Sequence, residues 1–107
     1  MYKKGQLTLW VLIAILDGKK YAQEIAVFMA DVTNGVFSVT DQSLYRALRR
    51  FKNAGLVTVS REPSPDGGPD RKYYQLTANG KKVLSGFVAL HIKPLQSSSI
   101  KTLLNQL

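Results

Sequence analysis

The sequence has no cysteine, a single histidine (His91) and a single tryptophan (Trp10). Without thiols there is no disulfide framework, no thiolate metal site and no cysteine nucleophile. His91 has no cluster of carboxylates near it in sequence, so a zinc site lacks its ligands. The acid pairs Glu24/Asp31 and Asp66/Asp70 lack a histidine, metal or nucleophile partner and read as solvated charges. Neither an enzyme nor a cofactor is expected.

Acids are also scarce, seven Asp or Glu against fifteen Lys or Arg, for a formal charge of +8. Such a field attracts polyanions without saying which. It is spread unevenly: residues 1–39 carry +1, residues 40–72 carry +3, and residues 73–107 carry +4 with no acid. Long hydrophobic runs are missing too. Leu7–Leu16 falls well short of the roughly 20 residues that span a bilayer. It follows Lys3 and Lys4, as a signal-peptide core would, but ends in Asp17-Gly18-Lys19-Lys20 with no small-residue cleavage pattern. A buried first helix in a cytoplasmic protein, with no membrane partner, is the expectation.

The 107 residues, 45% of them hydrophobic, suffice for one compact core. Leu9, Leu12, Ile13 and Leu16 recur at helical spacing, with Gly18 placed to end the helix in a left-handed conformation. Tyr21, Ile25, Phe28 and Met29 continue that spacing to Asn34-Gly35, a pair suited to stop a second helix. Thr40 is placed to cap a third, with Asp41 favourable at its N-terminus and Gly55 just past its end. The period then changes to two in Leu56–Ser60 and in Lys72–Leu76, two strands joined by a proline- and glycine-rich tip, Pro63–Pro69. Thr77 caps a fourth helix, which Pro94 interrupts, and Ser97-Ser98-Ser99 opens a last amphipathic turn.

This order predicts an α+β, mostly helical fold: a winged helix-turn-helix over residues 1–76, followed by a C-terminal dimerisation helix segment over 77–107. On the third helix, Ala47, Leu48 and Phe51 lie within about 60° of Leu44 and must face the core. Gln42, Arg46 and Arg49 lie on the opposite face, where their forked donors and paired donor and acceptor groups suit base edges in a major groove. Thr40, Ser43 and Tyr45 flank that face, and Arg50 and Lys52 sit nearer its edges, suited to backbone contact. A basic outer face alone also fits a plain solvated helix. Its place after a short turn and before a basic hairpin favours DNA. The wing adds Arg61, Arg71 and Lys72, opposed by Glu62, Asp66 and Asp70; Asp66-Gly67 also suits a turn without any ligand.

Beyond Thr77, the stripes Leu84/Phe87/Val88/His91 and Ile100/Leu103/Leu104/Leu107 exceed what a thin core needs and predict a homodimer surface. Trp10, among Leu9, Val11 and Leu12, is expected in the core or the dimer interface rather than in an effector pocket.

Two stretches, Val39–Val57 (with Leu44-Tyr45 before Ala47-Leu48-Arg49-Arg50, ending at Gly55-Leu56) and Gly68–Thr77 (with Arg71-Lys72-Tyr73-Tyr74), resemble the recognition helix and wing return of the PadR family of transcription regulators. Tyr21-Ala-Gln-Glu-Ile25 resembles the start of its second helix, and the likeness covers about residues 7–84. Arg46 stands where the family usually has proline. Ala22 and Gln23 replace its usual glycine and tyrosine, and Asp70 is an added acid. The resemblance implies a homodimer, closed by the C-terminal helix against helix one of the partner, that represses a promoter by binding double-stranded DNA. It also implies release by a phenolic or drug-like aromatic effector. The rival readings are an architectural protein that coats DNA without sequence preference and a winged helix that contacts only protein.

Overall fold

A computed structural model describes residues 4–107 of the chain. Lys3, which flanks the leader-like run, lies outside them. Helix α1 (Lys4–Ala14) is apolar along most of its length, and Val11, Leu12, Ala14 and the following Ile15 are buried. Leu16 does not join them and is half exposed. Nor does Gly18 end the helix, since the glycines with positive φ are Gly35, Gly55 and Gly67. The carbonyl of Ala14 instead accepts from Nζ of Lys20 at 2.6 Å, and the same ammonium reaches Asp17 at 3.1 Å. A cation at a helix C-terminus meets both the free carbonyl and the negative end of the dipole, which makes a left-handed glycine unnecessary.

Lys20 and Tyr21 form a short strand, β1, too brief to leave any periodicity in the sequence. Helix α2 (Ala22–Val32) buries Ala22, Ile25 and Met29 and ends as its sequence predicts, with Asn34 and Gly35 at φ 52° and 78°. The turn that follows is held by Thr33. Its hydroxyl donates to the carbonyl of Met29 at 2.7 Å and accepts from the amide of Phe37 at 3.0 Å, seating that ring in the core.

Helix α3 (Asp41–Asn53) begins at Thr40, whose hydroxyl oxygen accepts from the amide of Ser43 at 3.1 Å. It ends before Gly55 at φ 77°. Leu44, Ala47, Leu48 and Phe51 are all buried, as the helical spacing requires. Strands β2 (Val57–Glu62) and β3 (Arg71–Leu76) pair antiparallel from Val57↔Leu76 to Glu62↔Arg71, so the ladder runs further toward the tip than the sequence pattern suggests. β1 pairs with the other edge of β3, giving the order β1-β3-β2.

Helix α4 (Ala78–Phe87) is fastened to the end of α3 by one side chain. The hydroxyl of Thr77 donates to the carbonyl of Gly55 at 2.6 Å and accepts from the amide of Gly80 at 2.9 Å. The approach is close. A Cβ on Gly80 would sit 2.2 Å from the carbonyl oxygen of Leu56 and 2.6 Å from Leu76.

Leu84, expected on the dimer surface, is buried in this core, so its apolar area is already spent within its own chain. The packed body thus runs past Leu76 into α4. After Phe87 the helix widens into a π-helical turn (Val88–Ile92) and tightens into a 3₁₀ turn (Lys93–Gln96). Pro94, which cannot donate and crowds the preceding turn, explains this disruption. Helix α5 (Ser98–Leu104) follows, with Ser97 accepting from the amide of Ile100. The radius of gyration is 15.5 Å, against about 13 Å for a compact domain of this length. The excess reflects a C-terminal arm, residues 88–107, that contributes no fully buried side chain.

Candidate nucleic-acid interface

Because the inward face of α3 is fixed by four buried residues, its outward face is fixed too. Gln42, Tyr45, Arg46 and Arg49 are exposed there and line one shallow depression with Asp41. Thr40 and Ser43 sit at its start, joined by the cap, with Ser43 half buried. Asp41 at the first turn and Arg50 and Lys52 at the last complement the helix dipole.

Between α3 and the hairpin lies a cleft of about 570 Å³ lined by Tyr45, Leu48, Arg49, Lys52, Val59, Arg61, Lys72 and Tyr74. Its floor is apolar and its rim carries four cations and no acid. Arg61 and Lys72 are register partners across the ladder and extend the strand face that buries Val57, Tyr74 and Leu76. Burial, with Tyr45 beside it, pushes the phenol of Tyr74 above its ordinary value despite the opposing pull of Arg49. None of these four cations forms an ion pair among the described residues, whose ion pairs are Lys19–Glu62, Lys20–Asp17 and Arg71–Asp66.

Of the eleven residues expected to meet DNA, nine lie on the outward face of α3, at its start, or on the cleft between α3 and the wing: Thr40, Gln42, Ser43, Tyr45, Arg46, Arg49, Lys52, Arg61 and Lys72. Arg50 is exposed but lies on the edge of α3 away from the wing, by the helical advance of about 100° per residue; its guanidinium stands 5.6 Å from the Phe51 ring centroid. Arg71 points to the other side of the sheet, since neighbouring strand residues face opposite ways. There it lies 4.5 Å from the centroid of Tyr21 and 3.4 Å from Asp66. Strand alternation, counted from Val59 and Tyr74, separates Lys72 from Arg71 and is legible in the sequence. The cleft residues outside the expected set are Leu48, Val59 and Tyr74; the fourth cleft cation is Lys52, expected at the helix edge for backbone contact. It falls about 80° from Leu44 on the helix, which is the side the wing occupies.

On the arm, Leu103, Leu104 and Leu107 are exposed, as are Leu90 and Leu95, while Val88 and Ile100, like Phe87 at the end of α4, are half buried. The rings of Phe87 and His91 are in contact, 5.7 Å between centroids. Trp10 is partly buried against the core. Among the described residues no group of three or more His, Asp or Glu is placed to hold a metal, and no helix is long and apolar enough to cross a membrane.

The family model of the transcriptional regulator PadR-like family matches residues 11–86. A protein of Lysinibacillus sphaericus, itself uncharacterised, is 32% identical over 85 residues, covering 79% of this chain and 77% of its own. Among solved structures, a PadR-like transcription factor from Bacteroides fragilis is 28% identical, with a TM-score of 0.68 over 96% of this chain and 87% of its own. A PadR family regulator from Clostridium difficile R20291 is 26% identical, with a TM-score of 0.66 over 95% of this chain and 97% of its own. The fold also matches Bacillus subtilis PadR, solved in complex with operator DNA, with a TM-score of 0.72 at 18% identity, over 94% of this chain and 56% of that one. The α+β winged-helix fold and the match over most of its length place this chain in the PadR-like family of transcriptional regulators, and it is not an enzyme.

Proposed function

We propose that the chain binds duplex DNA sequence-specifically as a homodimer and represses transcription at an inverted-repeat operator. The observation that carries this reading is the union of two surfaces. The outward face of α3 offers Gln42, Arg46 and Arg49 to base edges, and beside it the cleft presents Arg49, Lys52, Arg61 and Lys72 without a single carboxylate in its lining. Base-reading groups flanked by unpaired cations are what a major groove bordered by phosphates selects for. That the similarly folded B. subtilis PadR was solved with operator DNA supports the same use of the fold.

Two-fold pairing through the exposed leucines of the arm would present two α3 helices to half-sites about one helical turn apart. Release by a small aromatic compound belongs to the same reading, with Trp10 as the reporter: quenching of its emission by phenolic acids, together with loss of DNA binding, is the expected result.

Selection of bound sequences from a random duplex pool at two salt concentrations tests the main proposal. A palindromic consensus is expected, and Arg46→Ala and Arg49→Ala should each cost about 1–3 kcal/mol at that site. Equal displacement by any duplex would instead identify an architectural protein that coats DNA. Unchanged affinity in both arginine variants would remove α3 from the interface.

A further inference from the structure

The ladder register sorts the wing into two chemically different faces. Arg61 and Lys72 face the cleft, whereas Glu62 and Arg71, the next pair along, face away from it. On the far face every charge of the ladder is answered. Glu62 takes Lys19 at 2.5 Å, and the Lys19 side chain also reaches toward the Tyr73 ring. The hydrogen bond from Lys19 holds the Glu62 carboxyl below its ordinary value. Tyr73 meets Tyr21 edge to face, 5.6 Å between centroids, and the guanidinium of Arg71 stacks on the other part of that pair, 4.5 Å from the Tyr21 centroid.

Arg71 also holds Asp66, which accepts from the amide of Gly68 at 3.1 Å and from the hydroxyl of Ser64. An unbroken series of contacts therefore runs from the start of α2, through Tyr21 and Arg71, to the tip of the wing. A cation engaged by a ring and a carboxylate must give up both to reach a phosphate. Lys52, Arg61 and Lys72 give up nothing.

We propose that Arg71 is a positioning residue: stacked on Tyr21, it holds the wing at the angle that lets Lys52, Arg61 and Lys72 receive a DNA backbone phosphate in the cleft. This inference rests on the DNA-binding reading for its phosphate, but not for its latch. Two of the three acids that dilute the wing's charge have their place here, since Glu62 and Asp66 neutralise the positioning face, while Asp70 lines a neighbouring hollow with Arg61, Arg71 and Lys72.

The two roles separate in the salt dependence of DNA binding, because each lost phosphate contact lowers the slope of log affinity against log salt by about 0.9. Lys52→Ala and Lys72→Ala should each lower the slope by that amount. Arg71→Ala should weaken binding about two- to fivefold with the slope unchanged. Tyr21→Leu should do the same, the two together should cost no more than either alone, and Tyr21→Phe should behave as the parent.

In the free protein, NMR relaxation of the Gly67 and Gly68 amides should show a looser tip in Arg71→Ala and Tyr21→Leu and no change in Lys52→Ala or Lys72→Ala. A slope lowered by Arg71→Ala as much as by Lys72→Ala would make Arg71 a phosphate ligand and overturn the proposal. An unchanged tip in both latch variants would overturn it as well. If the parent protein bound no DNA, the functional reading would fall, and the relaxation measurement would still decide the latch.

Discussion

The packed body and the C-terminal arm carry leucines at the same helical spacing, yet those leucines meet opposite fates. In the body, Leu12, Leu44, Leu48 and Leu84 are at most 4% exposed. In the arm, Leu90, Leu95, Leu103, Leu104 and Leu107 stand 47% to 100% exposed. Periodicity thus announces an apolar face but not what covers it. The body supplies its own cover by folding four helices, α1 to α4, against the small sheet. The arm leaves the body at Val88, where the helix that Pro94 disrupts first widens, and exposed leucines in such number are the kind a second chain covers.

The strongest way to break this comparison is to charge the arm. On the proposed pairing through the arm, Leu103→Asp combined with Leu104→Asp should leave the far-ultraviolet dichroism of the body intact while turning the dimer into a monomer in sedimentation. Operator affinity should fall on the order of a hundredfold, because the two half-sites are no longer linked. A dimer that survives both charges would move the interface elsewhere. A smaller effect is expected within the body. Gly80→Ala forces a methyl against the Leu56 carbonyl and should cost about 1–3 kcal/mol in urea unfolding, with no effect on the association of the folded protein.

The smallest effect concerns acid. The hydrogen bond from Ser64, then the Gly68 amide and the charge of Arg71, hold the Asp66 carboxyl below its ordinary value. A group lowered by folding stabilises the folded form fully above its unfolded value, and that contribution is lost as the pH falls through the folded value. The Asp66 side chain is largely exposed, so the consequence is local. The amide signal of Gly68 should shift below the ordinary aspartate range.

Much of the architecture was legible because it rests on local chemistry. The cap at Thr40, the left-handed stops at Asn34, Gly35 and Gly55, and the buried stripe of α3 each follow from residue type and spacing. What escaped reading depended on a partner that residue type and spacing do not name. β1 exists because Lys20 and Tyr21 find the edge of β3, and two residues carry no pattern. Gly18 looked like a helix stop, but Lys20 had already satisfied the Ala14 carbonyl. Leu84 and Leu103 are equivalent in sequence, and only the packing of α4 against Leu56 and Leu76 distinguishes them. On the candidate site, the outward face of α3 could be read directly. The separation of Arg71 from Lys72 was available from strand alternation, but the Tyr21 ring that receives Arg71 comes from a segment fifty residues earlier.

The hydroxyl of Thr77 touches the last turn beyond α3 on one side and the first turn of α4 on the other. That bridge, with the Thr77 amide donating to the Leu56 carbonyl at 3.0 Å, ties the end of α3 to the stem of the arm. In a paired molecule, the tilt of one arm against its mate would then set the span between the two reading helices. The ruler that chooses operator spacing would lie in this junction, at a threonine outside the surface proposed to meet DNA.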